Sequence, residues 1–287
     1  MKYGEIAANI RDRLGIAELN AMQLAVGASR SRKIMLIAPT GSGKTVAFAI
    51  ALLRSLHSSD GRVQGVVLAP SRELVLQICE VIRRIAACLR TVAFYGGHSV
   101  TDEVNSLSQI PDIIVATPGR LLDHIRRRNV DLSRVTSLVI DEYDKSLELG
   151  FQDEMRRIVR RISDPANIVL TSATRLGEMP DFINLDGCET IDCGLDDAPC
   201  AAAPRLNIAK VESPARDKAQ TLVDLLKSLH DGRVLVFVNH RESADRTYDI
   251  LSRAGLPAGV YHGGLDQSER EKAVRLLDNG SRPILVT

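Results

Sequence analysis

Short runs of aliphatic and β-branched residues alternate along the chain with stretches whose apolar positions recur every three or four residues. The runs are KIMLI at 33–37, GVVLA at 65–69, DIIVA at 112–116, SLVID at 137–141 and NIVLT at 167–171. Such alternation predicts a parallel sheet covered by helices. Between two of the runs, Leu74, Val75, Ile78, Val81, Ile82, Ile85 and Leu89 are spaced as one face of a helix that packs on a sheet.

From Cys193 to Pro214 the periodicity fails in a stretch holding GLDDAPCAAAP, where Pro, Gly, Asp and small residues replace periodic apolar ones. This is read as a linker. The alternation then restarts, with a helix over Leu222, Leu225, Leu226 and Leu229 ending at Gly232, the strand VLVFV at 234–238, a further helix to Gly255, and the run GVYH from Gly259. The expected organisation is therefore α/β, with a first lobe over 1–195, a linker over 196–214 and a second lobe over 215–287. The final residues, PILVT, read as a buried strand with nothing after it to cover the sheet, so the second lobe is expected to be incomplete.

Composition changes this picture little. In 287 residues, 37 Lys+Arg against 36 Asp+Glu give a formal charge of +1, so any surface for a polyanion must be local. The start MKYGEIAANIRDR lacks the apolar core of a signal peptide, and no apolar run approaches the ~20 residues of a membrane span. Cys79, Cys88, Cys188, Cys193 and Cys200 contain no C-x-x-C pair and are read as reduced thiols of a cytosolic protein. Cys188, Cys193 and Cys200 lack a fourth ligand at the usual spacing for a metal site.

The chemistry begins at APTGSGKT, Ala38 to Thr45, which follows the strand KIMLI and opens a helix. Gly41 and Gly43 let the backbone turn its N–H groups inward, and the helix N-terminus adds partial positive charge, so Ala38, Thr40, Gly41, Ser42 and Gly43 form a cradle for phosphate oxygens. Lys44 would neutralise the β and γ phosphates, and the Thr45 hydroxyl would hold Mg²⁺. Asp141 and Glu142 end the run SLVID, which places their carboxylates at the carboxyl edge of the sheet, where ligands of α/β folds collect. Asp141 is read as the Mg²⁺ partner and Glu142 as the group that orients or deprotonates an attacking water.

APTGSGKT is followed in order by PSREL (70–74), GG (96–97), TPGR (117–120), DEYD (141–144) and SAT (172–174), then by VFVN (236–239), YHGGLDQSER (261–270) and ILVT (284–287). This series resembles the DEAD-box RNA helicases of superfamily 2 over nearly the whole chain. The resemblance implies two RecA-like parallel-sheet lobes with helices on both faces. GIAELNAMQ before the P-loop resembles the adenine-reading Q motif, which makes Gln23 the adenine ligand and ATP the nucleotide; Ile16 stands where the family usually has an aromatic, and LNAM replaces the commoner PTPI. Tyr143 replaces the alanine of DEAD while Asp141, Glu142 and Asp144 are retained. By resemblance, Asp144 contacts the SAT segment, where Ser172 and Thr174 couple nucleotide state to RNA binding.

The resemblance also implies that Arg72, Gly97, Thr117 and Arg120 line a groove for a sugar–phosphate backbone, with Gln267 and Arg270 adding a contact from the second lobe. Contacts of this kind position a strand without reading its sequence. TPGR suits the role independently, because Pro118 is tolerated in a first helical turn whose free N–H groups can face a phosphate. The runs 126–128 and 156–161 are read as solvated helix faces, and an aromatic content of 3% without tryptophan argues against base-stacking platforms.

The implied activity is that of an ATP-dependent RNA helicase. ATP and a single strand of RNA jointly close the lobes, bending the strand and separating a short duplex, and hydrolysis releases it. The expected setting is a monomeric core in the cytoplasm, with RNA as partner and no membrane. The family completes its ATP site with arginines from a later motif that does not occur in these residues, so this chain alone is expected to hydrolyse ATP poorly. An ATP-gated RNA clamp without strand separation would use the same residues, whereas the GG, TPGR and SAT set resembles the RNA branch and so argues against a DNA-directed superfamily 2 translocase. The intact Lys44, Asp141 and Glu142 argue against an inert pseudoenzyme.

Overall fold

The computed structural model describes residues 1–57, 59–97, 99–163, 165–175, 180–193, 207–214, 217–229 and 232–287. The chain divides into two compact units, Met1–Arg205 and Leu206–Thr287. The predicted linker at 196–214 falls largely on residues outside those described, Cys200 among them.

The first unit runs α1 (Tyr3–Leu14), α2 (Ala21–Ala28), β1 (Lys33–Ile37), α3 (Lys44–Ser55), β2 (Gly65–Leu68), α4 (Arg72–Ile85), β3 (Thr91–Phe94), α5 (Val100–Ser106), β4 (Ile113–Ala116), α6 (Pro118–Arg126), β5 (Ser137–Ile140), α7 (Tyr143–Glu148), α8 (Gln152–Val159), β6 (Asn167–Ser172) and β7 (Glu189–Asp192). Its seven strands form one sheet in the order β3-β4-β2-β5-β6-β1-β7, every neighbouring pair parallel. The five predicted strands lie at its centre and are buried at nearly every position.

Because successive side chains of a strand point to opposite faces, each run feeds two cores. Leu36, Val67, Val115, Val139 and Val169 enter the layer beneath α1 to α4, while Ile37, Val66, Ile114, Leu138 and Ile168 enter the layer beneath α6 to α8. The predicted apolar helix face is α4, which buries Val75, Ile78, Ile82 and Ile85; the helix ends at Ile85, and Leu89 is buried beyond it. Several elements escaped the sequence reading, α1 and β3 among them, and two others carry little apolar signal. β7 is a half-exposed edge strand without an apolar run, and α5 has a polar sequence with one buried helical residue, Glu103.

The second unit comprises α9 (Ala219–Ser228), β8 (Val234–Val236), α10 (Arg241–Arg253), β9 (Ala258–Val260), α11 (Gln267–Asp278) and β10 (Ile284–Val286). Its parallel sheet has the order β8-β10-β9 over a small core that includes Val223, Leu226, Leu251, Ile284 and Val286. Leu235 and Phe237 are 51% and 77% exposed, so part of this sheet remains uncovered.

One expectation is corrected here. Cys79, Cys88 and Cys188 are free thiols, but Cys193 is disulfide-bonded. Cysteine spacing does not show which thiols a fold brings within bonding distance.

Phe48 on α3 is fully buried against the sheet. Phe48→Ala is expected to destabilise the first unit by about 3–5 kcal/mol, read as a lowered urea midpoint of the intact chain.

Candidate active site

Three adjacent strands bring the nucleotide motifs together. β6 lies between β5 and β1, with Ile140 level with Leu170 and Ile37 level with Ser172. Continued by one residue, this register sets Asp141 level with Thr171 and Ala38 level with Ala173, at the carboxyl edge. The Ala38 N–H donates to the Ser172 carbonyl at 3.1 Å, tying the P-loop to the Ser-Ala-Thr segment.

Gly41 and Gly43 have φ of 81° and 88°, in the left-handed region where a side chain is strained. A Cβ on Gly43 would also lie 2.6 Å from the Gln23 amide nitrogen. Gly43 caps α3 with no side-chain hydrogen bond, so the first-turn N–H groups remain available to an anion. The Lys44 Nζ donates to the Ala38 carbonyl at 2.6 Å. Burial lowers its pKa, and Asp141, Glu142 and Asp144 oppose that shift. Thr40 is exposed, Thr45 is half-buried in the first turn, and the Ser42 hydroxyl turns back onto the Pro39 carbonyl at 2.7 Å.

Helix α2 braces this loop. Asn20 and Gln23 form a reciprocal capping box in which Asn20 Oδ1 accepts the Gln23 N–H at 2.9 Å and Gln23 Oε1 accepts the Asn20 N–H at 3.0 Å. The second amide of each reaches the loop: Asn20 Nδ2 donates to the Ser42 carbonyl at 2.9 Å, and Gln23 Nε2 to the Gly43 carbonyl at 3.2 Å. Gln23 is only 4% exposed. The sequence reading made Gln23 the adenine ligand, whereas here Oε1 serves the cap and Nε2 the P-loop. Ile16 packs against the first core.

Across the edge, Thr171 joins the positions of Asp141 and Glu142. Its hydroxyl donates to Asp141 Oδ1 at 2.5 Å and accepts the Glu142 N–H at 3.0 Å. Asp141 is 3% exposed, and its pKa is pushed up to about 6, chiefly by burial; Thr171 opposes the shift, Glu142 adds to it, and Lys44 opposes it. Glu142 adopts φ 47°, a left-handed conformation costly for a residue other than glycine, and caps α7. Asp144 Oδ2 accepts the Ala173 N–H and the Thr174 hydroxyl, both at 3.2 Å, while Ser172 Oγ donates to the Thr174 carbonyl at 2.6 Å. Tyr143 is 1% exposed and fills the core beneath α7, so the departure from alanine is a packing residue.

The residues assigned to a polyanion backbone gather at the other half of the same edge, beyond β2, β3 and β4. Arg72 begins α4 and lies so close to Gly97 that a Cβ there would strike its guanidinium; Gly97 also has φ 100°, so glycine is required on two counts. Thr117 caps α6 without a side-chain hydrogen bond. Arg120 Nε is held by Glu103 at 2.6 Å, in a buried group that the sequence did not reveal. Glu103 also faces His124 Nε2 at 2.7 Å and accepts the Tyr95 N–H at 3.0 Å, and His124 stacks on Phe94. Burial pushes the Glu103 carboxyl up, but the hydrogen bonds from His124, Tyr95 and Arg120 together hold it below its ordinary value. In the second unit, Gln267 donates to Glu271 at 2.9 Å in the first turn of α11, and Arg270 Nε is buried without a hydrogen-bond partner.

The loop and the facing carboxylates fit a nucleotide with its divalent cation. The left-handed glycines and uncapped turn suit phosphate oxygens, and a buried carboxylate with a raised pKa is one that a cation would keep ionised. Thr45 and Asp141 are the groups that could hold the cation.

A family model described as DEAD/DEAH box helicase matches residues 20–180, and one described as helicase conserved C-terminal domain matches 217–287. The ATP-dependent RNA helicase DBP2 of Encephalitozoon cuniculi is 32% identical over 89% of this chain and 53% of its own length. The DEAD-box ATP-dependent RNA helicase CshA of Bacillus subtilis is 30% identical over 96% of this chain and 56% of its own. The chain thus spans about half the length of these curated relatives. Among solved structures, a DEAD box protein from the hyperthermophile Methanococcus jannaschii aligns at TM-score 0.60 with 28% identity, covering 98% of this chain and 77% of that one. Saccharomyces cerevisiae Dbp5 bound to RNA and ADP BeF3 shares the fold at TM-score 0.77 and 24% identity, covering 99% and 73%.

Asp141 yields a pH prediction. With a folded pKa raised from 3.8 to about 6, the native state binds more protons than the unfolded chain within that interval, so stability falls as pH rises through it. Without divalent cations, Asp141→Asn, which keeps an acceptor for Thr171, should remove this decline and raise stability at pH 7.5 by about 2–3 kcal/mol. Denaturant midpoints across pH check it; an unchanged slope in the variant would refute the burial account.

Proposed function

The chain belongs to the DEAD/DEAH box helicase family, and we propose that it supplies the catalytic core of an ATP-dependent RNA helicase. The observation that carries this reading is the junction on three adjacent strands, where Ala38, Thr171 and Ser172 link the phosphate loop, the carboxylates and the Ser-Ala-Thr segment by direct hydrogen bonds. When bound, ATP with Mg²⁺ supplies the phosphoanhydride whose cleavage resets the cycle.

In this reading Lys44 exchanges its bond to the Ala38 carbonyl for the β and γ phosphates, and the first-turn N–H groups of α3 hold the phosphate chain. Thr45 and Asp141 retain Mg²⁺, while Glu142 orients the attacking water and takes its proton. Gln23 holds adenine with its remaining amide hydrogen, or turns from its cap to offer both ends. Arg72, Gly97, Thr117 and Arg120 receive an RNA backbone, and Gln267 with Arg270 receive it on the second unit. Asp144 connects hydrolysis to RNA through Thr174, because a shift of the DEYD turn must pull on the Ser-Ala-Thr segment. A monomeric core acting in the cytoplasm belongs to the same reading.

The test is the ATPase rate of the complete-length protein with and without single-stranded RNA, with DNA as control. RNA alone should stimulate turnover, and Glu142→Gln should reduce it by about 10²–10⁴-fold. Nucleotide binding without RNA-dependent turnover would replace the motor with an RNA clamp, and equal stimulation by DNA would replace RNA as the substrate.

A further inference from the structure

At the amino edge of the first sheet, opposite the nucleotide motifs, lies a cavity of about 600 Å³. Its walls come from residues 61–63 ahead of β2, 110–111 ahead of β4 and 130–134 ahead of β5. A second cavity of about 340 Å³ shares Arg62, Ser133 and Arg134 with it, so the two form one groove along this edge. The first cavity is of ligand-binding size, since pockets for ligands occupy roughly 300–1,000 Å³.

The groove combines an aliphatic floor with a basic rim. Leu107, Val130 and Leu132 line the floor, and Ile110 at the mouth is 56% exposed. Arg128, Arg134 and Arg161 are exposed around it and make no ion pair or side-chain hydrogen bond among the described residues. The acidic lining residue, Asp131, already accepts both the N–H and the hydroxyl of Ser133, at 2.9 and 3.0 Å. Arg62 is paired with Asp60 at 2.7 Å. Beside the two Ser133 hydrogen bonds, the Arg134 charge also helps to hold the Asp131 carboxyl below its ordinary value, while Arg128 and Arg161 have no ion-pair partner among the described residues, so the rim of this apolar opening carries net positive charge.

Arg128 adds an independent observation. It follows α6 with φ 59°, fixed by its own N–H on the Ile125 carbonyl at 3.1 Å and by the Asn129 N–H on the His124 carbonyl at 3.0 Å. Glycine suits this backbone better than arginine does. An arginine thus occupies, at the rim of the groove, a backbone position that favours glycine.

We propose that this groove docks an acidic segment of a partner protein, one aliphatic side chain entering the cavity while flanking carboxylates pair with Arg128, Arg134 and Arg161. A free inorganic anion would leave the aliphatic floor unused. RNA fits less well, because the lining offers no aromatic ring for base stacking and the residues assigned to an RNA backbone lie at the opposite edge.

The experiment uses the intact chain and a short fluorescein-labelled peptide with one leucine flanked by glutamates, followed by anisotropy. Saturable binding is expected, weakened at least roughly tenfold by the Arg134→Glu, Arg161→Glu double variant and by leucine-to-serine replacement in the peptide. Arg128→Gly should weaken binding about threefold without lowering the melting temperature, since it relieves the left-handed backbone. A thermal shift on adding ATP, unchanged in every variant, shows that the fold is intact. Absence of saturable binding, or binding indifferent to the charge reversals, would overturn the proposal. So would displacement of the peptide by single-stranded RNA whose own affinity falls in the same variants.

Discussion

The site depends on β6 lying between β5 and β1 in a parallel sheet. Parallel strands that start level also end level, so three loops from distant parts of the sequence emerge at one edge within hydrogen-bond reach. The bonds of Thr171 to Asp141 and Glu142, and of Ala38 to Ser172, follow from that register. A slip of one residue in β6 would turn Thr171 to the other face and bring Leu170 or Ser172 level with Asp141 in its place.

Placing a carboxylate at such a junction carries an electrostatic penalty. Burial favours the neutral form of Asp141 and also the uncharged form of Lys44, and each charge partly restores the other. The arrangement is thus poised for charge to be added between them, which is what a phosphate chain with its cation does. Glu103 illustrates the opposite outcome: it too is enclosed, yet its hydrogen bonds with His124, Tyr95 and Arg120 hold its carboxyl below the ordinary value. Glu103 bears a smaller burial penalty, accepts more hydrogen bonds and has the Arg120 charge beside it.

Much of this was legible in the sequence, and the remainder was hidden for identifiable reasons. The central strands and α4 announced themselves because buried parallel strands and packed helices demand apolar runs and faces. The P-loop was readable because its glycines answer to backbone geometry that few other residues can adopt. Asn20 could have been found from the N-x-x-Q spacing of a capping box, and that box also explains why the Gln23 amide faces inward. Thr171 was visible only as the fifth letter of an aliphatic strand, and its role needed the register with β5. Glu103 and His124 meet through two helices, one of them polar enough to lack a signal. Neither β7, an edge strand without an apolar pattern, nor the bond at Cys193 leaves a local signature.

The left-handed backbone of Glu142 bears on attempts to engineer this protein for heat resistance. Glycine at that position would relieve the conformational cost and stabilise the turn. The same replacement deletes the carboxylate to which the proposed mechanism gives the attacking water, so on that proposal a screen scored on melting temperature alone would enrich for proteins that fold better and turn over nothing. Robustness and turnover pull against each other at a single φ angle, and only a screen that measures both can tell an improved enzyme from a well-folded relic.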